Sequence, residues 1–168
     1  MTDGEFQAIF QEHKNAVYQF AWRMSNSSAV ADDVSQDVFL VLLRGEADYD
    51  CSRGSLRALL LGIARNLIWK RWREERRWIS IDDESFLAPA LDLESVGKQQ
   101  AVAAAVACLP PLQREALILA TYEDLSLREI AEALTVEVGT VKARLYRARE
   151  NLKLMLAPCN SAIMRTAK

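Results

Sequence analysis

Histidine is almost missing from this chain: one residue, His13, in 168. That scarcity excludes multi-histidine metal sites and leaves little for His-based acid–base chemistry. Cysteine is scarce too. Cys51, Cys108 and Cys159 are odd in number, far apart and never in a C-x-x-C pair. Neither a disulfide framework nor a zinc site is expected, and the thiols read as reduced and incidental. No P-loop, G-x-G-x-x-G or G-x-S-x-G is present. The paired acids Asp32 and Asp33 have no nucleophile or metal partner beside them in sequence. No catalytic constellation, metal or cofactor is therefore expected.

Long apolar runs are also lacking. Runs such as Ala58 to Ala64 fall far short of the roughly 18–20 residues that span a bilayer. The opening MTDGEFQAIF has neither the basic nor the apolar region of a signal peptide, so a cytoplasmic protein is expected. Strand signals are missing as well: no sustained alternation, and no Asn-Gly or Asp-Gly turn between β-branched runs. What remains is helical period. With 51% apolar residues the chain can build a core, and the expected class is all-α.

Helices are expected over about 4–24, with Phe6, Ile9, Phe10, Val17, Phe20 and Ala21 as an apolar stripe, and over about 29–43. A loop over 45–54 leads to a third helix, about 55–77, with Leu56, Leu59, Leu60, Ile63, Ala64 and Leu67 turned inward. Residues 80–95 change texture, with five acids, no base and Pro89, and read as a linker. Helix resumes near Val96, stops before Pro110 and Pro111, and begins again over 112–122. Two small helical domains are expected, 1–79 and 97–157, joined by an acidic flexible linker, 80–96, and followed by a disordered tail, 158–168.

The net charge is only −2, so the informative quantity is how charge is distributed. Residues 125–153, LSLREIAEALTVEVGTVKARLYRARENLK, read as helix, tight turn and basic helix. Ser126 and Glu129 form an S-x-x-E capping box, and Leu127, Ile130, Ala131 and Leu134 share one face. Small Ala131 suits a steep helix crossing. The turn is expected over Thr135–Gly139, with Thr140 starting the second helix. Val141, Leu145, Ala148 and Leu152 line the buried side of that helix. Its five cations, Lys142, Arg144, Arg147, Arg149 and Lys153, face a single acid, Glu150. A solvated helical hairpin is the bland alternative, but the one-signed charge and the turn length favour a helix-turn-helix that enters a DNA groove.

Residues 65–77, RNLIWKRWREERR, set six cations against two acids, with Trp69 and Trp72 interleaved. Aromatic faces among cations suit unstacked bases and their phosphates, although at least one of the two rings is expected to fill the core. The segment 31–43, ADDVSQDVFLVLL, keeps Val34, Val38, Val41 and Leu42 on one face, with Asp33, Gln36 and Asp37 elsewhere and Phe39 at the border. Such an acidic strip is either a solvated face or a seat for a basic protein partner.

Together DDVSQDVFLVLL, LLLGIARNLIWKRWREERR and the helix-turn-helix segment, in this order, resemble the sigma factors of bacterial RNA polymerase. The resemblance is to the small extracytoplasmic-function (ECF) group and covers about 6–154. It implies a sigma2-like domain, 1–79, and a sigma4-like domain, 97–157, with the linker threading toward the RNA exit path. Asp33, Gln36, Asp37 and Phe39 then dock the polymerase core. Arg65, Asn66, Trp69, Lys70, Arg71 and Arg73 contact the −10 element, Asn66 as the base reader. Arg128, Thr140, Lys142, Arg144, Tyr146 and Arg147 contact the −35 duplex. The implied partners are polymerase core, promoter DNA and an anti-sigma factor, with no cofactor and no enzymatic activity. Two residues depart from the family pattern, which often has glycine at the Thr135 position and proline at the Glu137 position. Thr135 is thus expected in a strained turn conformation. A stand-alone helix-turn-helix regulator, or a sigma-like decoy that binds only an anti-sigma factor, uses the same segments.

Overall fold

The structure, a computed structural model, describes residues 1–75 and 97–166, with side-chain surroundings as far as residue 157. The expected linker and the cations Arg76 and Arg77 lie outside the described residues. Seven helices and no strand occur among the described residues: α1 (Asp3–Ser25), α2 (Ser28–Leu43), α3 (Leu56–Glu74), α4 (Lys98–Cys108), α5 (Pro111–Thr121), α6 (Leu127–Leu134) and α7 (Val138–Thr166). The expected all-α class is what the chain adopts.

Local chemistry explains the helix ends. Thr2 and Glu5 form a capping box at α1, and Asn26 closes that helix in the left-handed region at φ 53°. Ser27 and Ser55 accept from the third residue of α2 and α3, satisfying one orphan donor each. Pro111 occupies the first turn of α5, where its missing N–H costs nothing. The expected capping box of α6 is present, Ser126 with Glu129.

The turn between α6 and α7 is tighter than expected. Thr135 at φ 56° is the left-handed residue, and Val136 N–H donates back to the Ala131 carbonyl at 3.0 Å. The Glu137 carbonyl then accepts from Thr140 and Val141. Helix α7 therefore starts at Val138, and Gly139 and Thr140 belong to its first turn. The backbone of α7 runs on to Thr166, past Ala157 where fraying was expected.

In the N-terminal half, α1, α2 and α3 pack on one another, burying Val17, Phe20, Met24, Val34, Val38, Leu60, Ala64 and Ile68. In the C-terminal half, α5 and α6 pack on α7 through Ile118, Leu119, Ile130, Leu134, Val141, Leu145 and Met155. The two halves also touch. Helix α1 meets α4 and α5, α3 meets α6, and their buried side chains form one continuous core cluster. This is why α3 is buried more widely than its expected stripe. Leu61, Gly62 and Ile68 join Leu60 and Ala64 in the interior, because α3 lies between α1 and α2 on one side and α6 on the other.

Candidate nucleic-acid interface

The expected contact residues fall on three elements. On α2, Asp33, Gln36 and Asp37 are exposed, as a partner-facing strip requires. Phe39 is not. It is 4% exposed, with its ring edge-on to Phe10 at 4.9 Å and to Phe6 at 6.4 Å. The expectation that Phe39 touches polymerase is corrected: three aromatic rings fill the gap between α1 and α2, and Phe39 is one of them. The exposed apolar side chains of this helix are Leu40 and Leu43 instead.

On α3, Asn66, Lys70 and Arg73 are exposed. Trp72 is buried and stands edge-on to half-buried Trp69, with centroids 5.3 Å apart. One tryptophan is thus core, as expected, and the other reaches the surface. Arg71 lies 3.5 Å from Asp33, joining the cationic and acidic strips across neighbouring helices. Asn66 accepts from Arg65 at 3.2 Å and lines a cavity of about 180 Å³ with Tyr49, Ser55, Gly62, Ala133 and Thr135.

On α6 and α7, Arg128, Thr140, Lys142, Tyr146 and Arg147 are exposed. Arg128 donates to the Ser52 carbonyl at 3.3 Å. Arg144 departs from the expected outward cationic face: its side chain is only 13% exposed and turns inward.

The partner of Arg144 was not anticipated. Glu115 of α5 is fully buried, and its carboxylate gathers cations from both halves. Arg65 grips it with two hydrogen bonds, Nε at 3.0 Å and Nη2 at 3.1 Å. The Trp69 indole N–H donates to the same group at 2.7 Å, and Arg144 Nη1 approaches to 3.6 Å. An acid immediately before the apolar stretch ALIL was the available signal, since a buried carboxylate requires cationic partners. Other polar bridges cross between the halves. Arg57 pairs with buried Glu123 at 2.6 Å, and Arg53 Nε with Glu132 at 2.6 Å. Arg114 donates to the Met24, Ala107 and Leu109 carbonyls, and its burial lowers its pKa. Glu129 accepts from Ser126 N–H and Ser55 N–H, which holds its carboxyl below the ordinary range.

Two cationic helix faces, one aromatic-laced and one in a helix-turn-helix, define an all-helical nucleic-acid-binding protein that also carries an exposed acidic strip on α2. The descriptions Sigma-70 region 2 and Sigma-70, region 4 match residues 9–78 and 99–152. The chain belongs to the ECF sigma factors of the sigma-70 family. It is 28% identical to the sigma factor SigW of Bacillus subtilis over 166 residues, covering 90% of this chain and 88% of SigW. It is 30% identical to SigK of Mycolicibacterium vanbaalenii over 149 residues, covering 83% and 76%. It matches SigE of Mycolicibacterium smegmatis at 27% identity over 165 residues, 95% of this chain but 64% of the longer relative. Among solved structures, the Bartonella quintana sigma factor RpoE in complex with the anti-sigma factor NepR superposes with TM-score 0.73 at 25% identity, covering 91% and 97%. CnrH in complex with the cytosolic domain of CnrY superposes with TM-score 0.69 at 25% identity, covering 94% and 90%. No described helix is long and apolar enough to cross a membrane.

Proposed function

We propose that this chain is an alternative sigma factor: it binds the RNA polymerase core, directs initiation to particular promoters and has no catalytic activity of its own. The observation that carries the reading is the presence, in one chain and in family order, of region 2 and region 4 matches with a cationic face in each. The sigma2-like domain, 1–79, docks core polymerase through Asp33, Gln36 and Asp37 of α2. Arg65, Asn66, Trp69, Lys70, Arg71 and Arg73 of α3 take the −10 element as it opens, Trp69 offering a face for an unstacked base. Unstacking a base costs a few kcal/mol, which such stacking and phosphate contacts offset. The sigma4-like domain, 97–157, holds the −35 duplex with Arg128, Thr140, Lys142, Arg144, Tyr146 and Arg147.

The protein works in the cytoplasm, where polymerase is. Relatives solved with NepR and CnrY support control by an anti-sigma factor. The test is run-off transcription with purified polymerase core on a genomic DNA library. Discrete start sites that share two spaced elements, and vanish without the chain, are expected. Duplex binding by a dimer that never recruits core would make it a stand-alone regulator instead. Asn66→Ala is expected to slow promoter opening while core binding persists.

A further inference from the structure

We propose that the free chain masks itself: Glu115 clasps the −10 and −35 faces to one buried carboxylate, and the clasp must open before either face reads DNA. The inference rests on the assignment of α3 and α7 as DNA readers. The geometry is specific. Arg65 and Trp69 of the −10 set bond to Glu115 from one side, and Arg144 of the −35 set approaches from the other. A carboxylate takes an arginine fork in the same bidentate geometry as a phosphate, so these side chains cannot hold Glu115 and DNA together.

The surrounding contact extends the masking. The cavity beside exposed Asn66 is lined from the facing half by Glu132 and Ala133 of α6 and by Thr135 after it. Arg128 of the −35 set is turned onto the Ser52 carbonyl. A Cβ built on Gly62 would meet the Ala133 carbonyl oxygen at 3.3 Å and the Ala133 Cβ at 3.6 Å, so α3 and α6 approach closely there.

The closed form is also built to open. Beside the shared apolar core, its polar bridges carry charge, Arg57–Glu123 and Arg53–Glu132 among them, groups that water can satisfy once the halves part. Arg144 Nη1 is buried without a hydrogen-bond partner, a cost that solvent or a phosphate relieves on opening.

The test uses the full chain with Cys51, Cys108 and Cys159 changed to serine and Gly62→Cys paired with Ala133→Cys. The Cβ separation there fits a disulfide. Oxidised protein is expected to lose at least tenfold in promoter-directed transcription with polymerase core, and a reductant to restore it. Equal activity of both forms overturns the clasp. Separately, Glu115→Gln is expected to raise the free chain's affinity for its −35 duplex about tenfold, with holoenzyme transcription unchanged. No gain in affinity overturns the role of Glu115. A DNA-free reading separates the two hypotheses: spin labels at Gln19→Cys and Ala143→Cys, in the same cysteine-free background. They should give one narrow distance distribution in the free chain and a broadened one with Glu115→Gln. Should the reduced chain start no transcript on the library, the initiation reading fails while this distance still decides the clasp. An unchanged distribution overturns it.

Discussion

The Phe39 ring stands edge-on to Phe10, with centroids 4.9 Å apart and planes 71° from parallel. Phe6 closes the cluster on the other side. A ring so enclosed stabilises the α1–α2 contact and is unavailable to a partner. Phe39→Ala should therefore cost about 3–5 kcal/mol of folding stability, the usual range for truncating a buried phenylalanine. Urea unfolding measures it. A variant that unfolds like the parent yet no longer pulls down polymerase core would return Phe39 to the docking surface.

Asp33 and Asp37 offer the opposite case, since both are exposed on α2. The ion pair of Asp33 with Arg71, at 3.5 Å, lies at the surface and contributes about 0–1 kcal/mol. Changing both acids to Arg should leave the melting temperature within a few degrees and abolish core pull-down. Full retention of core binding would make the strip a solvated face.

Thr135 sits at φ 56° and ψ 49°, where a β-branched side chain crowds its own backbone. Glycine adopts that conformation freely but loses more entropy on folding. The strain, about 1–2 kcal/mol, exceeds the entropic loss of about 0.5–1 kcal/mol. Thr135→Gly should raise stability by about 0.5–1 kcal/mol, or roughly 1–4 °C in Tm for a chain of this size. A lower Tm would mean that the threonine hydroxyl or methyl compensates through contacts in the turn.

The strain at Thr135 was legible because turn chemistry is local. The capping box at Ser126 and the inward stripe of α7 were legible for the same reason, since period and caps are written along single helices. The fate of Phe39 and Arg144 was not. Each lies at the border of its helical face, and which way a border residue turns depends on what packs there. For Phe39 the deciding neighbours were Phe6 and Phe10, about thirty residues away in sequence by order of magnitude. For Arg144 the decider was Glu115 on another helix. Helical pattern gives a face but no partner, so the contact between the halves stayed invisible until the structure joined Arg65, Trp69 and Arg144 at one carboxylate.

His13 predicts a pH dependence. It is buried on α1, and its Nδ1 has no hydrogen-bond partner. Burial lowers its pKa below the ordinary 6.5, nearby Arg57 lowers it further, and Glu12 opposes both. The unfolded chain thus takes up a proton at higher pH than the folded chain does. Stability from neutral His13 is full above 6.5 and is lost as pH falls through the folded value. His13→Leu should flatten the stability profile below pH 6.5, read by urea midpoints across that range. An unchanged slope would place the acid sensitivity on other groups.

Lys142 and Arg147 should act through phosphates and not through base edges. Both are exposed on the outer side of α7, away from the buried Val141, Leu145 and Ala148. A cation that neutralises one phosphate releases condensed counterions, giving a slope of about −0.9 in log affinity against log salt. Lys142→Ala and Arg147→Ala should each make that slope shallower by about 1 and weaken binding similarly across sequences. Holoenzyme is the right species, since the free chain turns Arg144 and Arg128 onto its own groups. Titrating holoenzyme on a −35 duplex at several salt concentrations gives the slope. An unchanged slope with altered sequence preference would make these residues base readers, and the register of α7 in the groove would then have to be rotated toward them.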